Sequence, residues 1–154
     1  MGLLQPPNLL PFNITRMGYV VLTSSDLDKT RFFYESGLGL EVTFQDEEML
    51  CFRAIEETFH HSLVFEKTDD SGPGKCRKVG YRMQTDLDIK IAYDFFTERG
   101  DVVRYIERPF QGLTIEVIDG IGVPVEFCSN MNQSRNRMQE FHTHSGGKLA
   151  FLDH

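Results

Sequence analysis

Apolar and polar positions along the chain fall into two similar passages. From Met17 the chain reads Met-Gly-Tyr-Val-Val-Leu-Thr, a β-rich run that ends in Ser24-Ser25-Asp26. Those last residues favour helix N-caps, because their short side chains accept from the free N–H groups of a first turn. Asp26 and Asp28 place carboxylates where the helix dipole is positive. Leu27, Thr30, Phe33 and Tyr34 then recur at helical spacing, and Gly37 and Gly39 are placed to stop the helix. Three strand-like runs follow: Leu40 to Phe44, Met49 to Arg53 and Ser62 to Glu66. Gln45-Asp46-Glu47 predicts a turn between the first two, and the stretch 68–75, with Gly72-Pro73-Gly74, predicts a loop.

Then the pattern starts again. Val79 to Met83 is strand-like, and Thr85-Asp86-Leu87-Asp88 repeats Ser25-Asp26-Leu27-Asp28 almost residue for residue. Leu87, Ile91 and Phe95 mark a helix face, Gly100 ends it, and strand-like runs follow at Val102 to Ile106, Leu113 to Ile118 and Val123 to Cys128. The repeat is βαβββ, twice, with a period near 60 residues. One helix on a few strands covers one face only. Two copies side by side predict an α+β fold, a partly open mixed β-barrel with helices outside and a concave face left over. In the last strand Val123, Val125 and Phe127 point one way and Glu126 and Cys128 the other, so a carboxylate is placed on that concave face.

The expected organisation is an extended arm at 1–13, broken by Pro6, Pro7 and Pro11, and one domain at 14–130 with modules 14–68 and 77–130. A polar linker follows at 131–147. Residues 148–154 read as the opening strand of a second domain, because an apolar run at the very end has no partner.

The chain has 154 residues and a net charge of −7, which suits one domain and argues against a nucleic-acid backbone as partner. No apolar run approaches the ~18 residues of a membrane span. Cys51, Cys76 and Cys128 are odd in number and widely spaced, which fits a reducing cytoplasm rather than a disulfide framework. Edge strands of such a unit pair readily, so a homo-oligomer is expected.

The doubled pattern resembles the vicinal-oxygen-chelate superfamily of glyoxalases, bleomycin-resistance proteins and extradiol dioxygenases. Val20-Val21-Leu22-Thr23, Ser25-Asp26-Leu27, Phe33-Tyr34 and Gly37-Leu38-Gly39-Leu40 carry the likeness. The run Glu56 to Val64, with His60-His61, and Gly122-Val123-Pro124-Val125-Glu126-Phe127 resemble the catechol-type extradiol ring-cleaving dioxygenases. So does Leu149-Ala150-Phe151-Leu152-Asp153-His154, which is similar to the strand that opens their second, iron-binding domain. The resemblance implies two such domains in a full chain. The first is metal-free. The second holds Fe(II), or Mn(II), through two histidines and a glutamate, leaving positions open for a small aromatic diol and O2.

Position by position, the resemblance places a His one residue before Val-Val-Leu, where Tyr19 stands, and another where Val79-Gly80 stands. The third ligand position holds Glu126. One ligand of three is too few for a tight site, so Glu126 reads as a vestigial ligand position hydrogen-bonded to Tyr19. His154 matches the first iron ligand of the second domain. No catalytic residue is expected in the chain itself. His60 and His61, adjacent and hence on opposite faces of a strand, are expected as surface or capping side chains that do not share an ion. His142 and His144 are expected in an exposed loop, and Cys128 as a small buried hydrophobe.

Two functions follow. One is the N-terminal, metal-free domain of an extradiol dioxygenase whose catalytic half lies beyond this chain. The other is a stand-alone dimeric protein that sequesters a small ligand in its cleft. A metal-dependent glyoxalase-like reaction needs four ligands, of which only Glu126 stands at an expected position.

Overall fold

The computed structural model describes residues 10–134 and residue 152. The expectations for His142, His144 and His154 therefore lie outside the described residues. The elements run β1 (Ile14–Ser24), α1 (Leu27–Arg31) continuing as a π-helical stretch (Phe32–Gly37), β2 (Glu41–Gln45), β3 (Met49–Arg53) and β4 (Leu63–Lys67). The second module repeats this order with β5 (Cys76–Met83), α2 (Asp86–Glu98), β6 (Val103–Ile106), β7 (Thr114–Ile118) and β8 (Pro124–Cys128). Pro124 takes the first residue of β8, where its missing N–H costs the ladder least.

The strands form one mixed sheet in the order β2-β3-β4-β1-β5-β8-β7-β6. Within each module the first strand pairs parallel with the last, β1 with β4 and β5 with β8. The modules join where β1 runs antiparallel to β5. The sheet ends at β2 and β6 and does not close, which is the partly open arrangement expected from the repeat.

The helices lie on one face and split its core in two. Ile89 and Ala92 of α2, both fully buried, pack with Phe12, Met83, Ile115, Val117 and Phe127. Leu27 packs with Leu40, Leu50, Phe52 and Phe65 in the other half, where Tyr34 and Leu152 also lean. The opposite, concave face carries a third cluster that includes Tyr19, Val21, Cys51, Val64 and Cys128. Phe127 faces the helix and Cys128 the concave side, as the alternation of β8 requires.

Three details depart from the sequence reading. The two helix starts are not equivalent: Asp26 caps α1 by accepting from Lys29 N, whereas Thr85, one residue earlier in the repeat, caps α2 by accepting from Asp88 N. Moving the cap by one residue turns the following face by about 100°. Leu27 is thus buried while its counterpart Leu87 is 64% exposed, and the buried positions of α2 are Asp88, Ile89 and Ala92 rather than a face led by Leu87. The π-helical stretch similarly carries Phe33 outward, to 56% exposure. Finally, Phe12, counted with the arm, is a core residue against Phe95 and Phe96. Gly39 and Gly100 adopt positive φ where the helices end, as stop positions should.

Candidate functional site

The three positions that the resemblance marks as metal ligands lie in one row across the concave face. Tyr19 on β1 stands opposite Gly80 on β5, and Gly80 stands opposite Glu126 on β8. The sequence places them there by parity: Val125 and Phe127 belong to the helix side, so Glu126 must face the other way. Glu126 is 0% exposed and Tyr19 2%.

A carboxylate buried this deeply must be paired. Tyr19 Oη donates to Glu126 Oε2 at 2.5 Å, the contact expected from the sequence. Arg108 donates to Glu126 Oε1 through Nε at 2.9 Å and also through Nη2. Lys78 Nζ lies 3.5 Å from Oε1 and 3.6 Å from Glu66 Oε1. Glu116 is buried beside Arg108, at 3.8 Å, and is bound by Arg104. Three carboxylates are thus answered by three cations. Burial, and then the neighbouring Glu126 charge, hold the Tyr19 hydroxyl well above its ordinary pKa, so it stays a neutral donor. Burial works against the charge of Arg108, but its bonds to Glu126 outweigh this and raise its pKa.

The middle of the row is filled by its neighbour. A Cβ on residue 80 would overlap the Tyr19 ring carbons. Tyr19 therefore occupies the space that a side chain at position 80 would need, and the two departures from the ligand pattern accommodate each other. The row offers one carboxylate with two cations against it, one phenol, and no third side chain. That donor set does not fit a two-histidine, one-carboxylate iron centre. The space left around Tyr19, His61, Arg108 and Glu126 is about 50 Å³. That is room for a few waters, and far below the ~300 Å³ at which ligand pockets begin.

The histidine pair departs from its expectation. His60 and His61 lie in the connection between β3 and β4, not on a strand, and their rings converge: Nδ1 of one is 2.9 Å from Nδ1 of the other. His61 is 4% exposed rather than at the surface. Backbone outside a strand is released from the alternation that would have sent the rings apart. Buried Cys51 of β3 completes a group whose ligand-type atoms all lie within 4.8 Å of one another. Burial, helped by His60, lowers His61 to about 3, so its ring is neutral. Burial, followed by the charge of Asp46, pushes the Cys51 thiol up to about 12.

Sequence reasoning missed Lys78, Arg108, Gln111 and Cys51. Lys78 had a signal, because it shares the parity of Gly80 on β5 and so faces the row. Arg108 and Gln111 lie in the connection from β6 to β7, where no period fixes direction.

Residues 16–127 match the Glyoxalase/Bleomycin resistance protein/Dioxygenase superfamily. The chain is similar to homoprotocatechuate 2,3-dioxygenase from Brevibacterium fuscum, at 30% identity and a TM-score of 0.83, over 97% of this chain and 42% of that one. It is similar to homoprotocatechuate 2,3-dioxygenase from Arthrobacter globiformis at 30% identity and a TM-score of 0.83, over 96% and 46% of the two chains. The chain thus spans less than half the length of these enzymes. No curated protein sequence matches it.

Proposed function

Because the chain belongs to the glyoxalase, bleomycin resistance protein and dioxygenase superfamily, we propose that it is the metal-free N-terminal copy of an extradiol ring-cleaving dioxygenase. On this reading the Fe(II), or Mn(II), the aromatic diol and O2 meet in a second copy of the fold that follows in the full polypeptide. His154 is that copy's first ligand, and 131–147 is the linker to it. The observation that carries the reading is the row itself. A phenol and a bare glycine, Tyr19 covering Gly80, stand where the metal-bearing copy needs imidazoles, and Arg108 and Lys78 neutralise the one carboxylate, Glu126.

Leu152, in the stretch that resembles the second copy's opening strand, docks on this copy. Its N–H donates to Glu57 Oε1 at 3.3 Å and its side chain leans on the α1 half of the core. The role of this chain is then to buttress the catalytic copy, in a cytoplasmic homo-oligomer. The small space beside Tyr19 and Glu126 speaks against a ligand held at the row itself. Among the described residues, no helix is long and apolar enough to cross a membrane.

The test loads the full 154-residue chain anaerobically with Fe(II), then adds catechol or homoprotocatechuate and oxygen. Neither oxygen uptake nor the yellow ring-fission product is expected. Turnover that depends on one iron per chain and disappears in Glu126→Gln would overturn the reading.

A further inference from the structure

The geometry points to a second, separate metal site in this chain, formed by Cys51, His60 and His61 and suited to zinc(II). Its ligands are none of Tyr19, Gly80 or Glu126. A thiolate and two imidazoles are the ligands zinc prefers, and three protein ligands leave a fourth position for water.

The spacing is close to what one ion requires. Around a tetrahedral zinc with bonds of ~2.0–2.3 Å, ligand atoms stand roughly 3.3–3.6 Å apart. The two Nδ1 atoms are 2.9 Å apart and need to open by a few tenths of an ångström. The sulfur lies within 4.8 Å of a ring nitrogen of each histidine and needs to close by at most about 1.5 Å. In the metal-free chain one ring must donate to the other, which fixes a tautomer. An ion between them replaces that bond.

The surroundings hold the rings as a metal site's surroundings do. Phe110 stacks flat on His60, with centroids 3.8 Å apart and planes at 9°. Phe110 has a φ of 66°, a left-handed backbone that a bulky aromatic rarely adopts and that concentrates at ligand clamps. Asn132 ties this residue to the histidine: its N–H donates to Phe110 O at 2.8 Å and its carbonyl accepts from His60 N at 2.8 Å. The far nitrogen of His61, Nε2, lies 3.3 Å from the amide of Gln111. Gln111 Oε1 accepts from Tyr19 Oη at 3.2 Å and from Thr114 Oγ1 at 3.3 Å; with the amide turned about its axis, Oε1 gives up these contacts and accepts from the His61 N–H, the usual outer partner of a metal-bound imidazole. Glu57 locks the connection itself, accepting from Ala54 N at 2.6 Å and Ser62 Oγ at 2.5 Å.

Binding is a proton exchange and involves no redox change. The Cys51 S–H bond breaks, its proton leaves to water, and the thiolate lone pair forms the S–Zn bond. His60 and His61 each give the Nδ1 lone pair and carry their proton on Nε2. Its ligands are distinct from Tyr19, Gly80 and Glu126, although the two sites meet where Gln111 accepts from Tyr19 Oη at 3.2 Å and the His61 ring packs edge-on against Tyr19.

Cobalt(II), a spectroscopic stand-in for zinc, is titrated into the reduced 154-residue chain. The expected result is one equivalent bound, with a thiolate-to-cobalt charge-transfer band and the intense d–d bands of a four-coordinate ion, both erased by zinc(II). Cys51→Ser should remove the charge-transfer band, and Cys76→Ser, at the exposed cysteine, should leave it. Gln111→Ala should weaken binding roughly 10–100-fold, and His60→Ala at least as much. If Cys51→Ser does not fold, His60 is only half-buried and its variant carries the test. No saturable band, a band that follows Cys76, or unchanged affinity in His60→Ala would overturn the assignment.

Discussion

Gly80→Ala isolates the central relation of the site, because the added methyl meets the Tyr19 ring and nothing else so closely. Overpacking a filled position costs roughly 1–3 kcal/mol. Tyr19→Ala alone should cost about 3–5 kcal/mol through the cavity and the lost bond to Glu126. In the Tyr19→Ala background the same methyl enters vacated space, so Gly80→Ala should then cost almost nothing. Urea unfolding of the four proteins at pH 7 reads this as a coupling of at least ~1 kcal/mol. Additive losses would mean that Tyr19 does not fill the place of residue 80. The sequence showed Tyr19 and Gly80 only as two separate departures from a ligand pattern. That one makes room for the other depends on the β1–β5 register and on a rotamer, neither of which a linear pattern specifies. Glu126 was legible because strand alternation fixes its face. The convergence of His60 and His61 was not, because their segment has no period from which to read a direction.

At the scale of elements the strands were legible and the helix faces only in part: Leu27, Tyr34, Ile91 and Phe95 pack inward as expected, whereas Leu87 and Phe33 turn outward. Alternation and turn residues bounded the strands to within a few residues. A one-residue difference in capping turned α2 away from its counterpart, and short-range propensity does not choose between Thr85 and Asp86 as the cap. What chooses is a tertiary contact. Asp88 accepts from Thr85 Oγ1 at 2.5 Å and from Asn13 N at 2.9 Å, so the helix start and the entry to β1 are fixed together. The hydrogen bond from Thr85, and then that from the Asn13 backbone, hold the Asp88 carboxyl below its ordinary pKa. The folded pKa is depressed, so the associated stability is fully present above the unfolded value near ~3.9 and is lost as pH falls through the folded one. Asp88→Asn should therefore be less stable than the parent at pH 7, with the gap closing below about pH 4. Urea midpoints of both proteins from pH 7 to pH 2 measure it. A gap that stays constant with pH would remove Asp88 from the capping role.

At the scale of the molecule, the two modules look like separable units in sequence but share one sheet. β1 and β5 pair from Ile14 to Leu22 along the middle of the sheet, and the row of Tyr19, Gly80 and Glu126 draws on both modules. Arg108 of the second module reaches Glu126, and Phe110 beside it stacks on His60 of the first. Neither module can open without exposing the buried charges of the other, and an unpaired buried charge costs several kcal/mol. Unfolding should accordingly be a single cooperative transition in which the calorimetric and van't Hoff enthalpies agree. Independent modules would instead give a van't Hoff enthalpy near half the calorimetric one. Removing the charge link sharpens the test. Glu126→Gln should lower the midpoint, by the roughly 3–5 kcal/mol that breaking a buried pair costs, while leaving the enthalpy ratio near one, because the β1–β5 ladder remains. A ratio that doubled in this variant alone would mean that the ion pairs, rather than the shared sheet, make the two copies one folding unit.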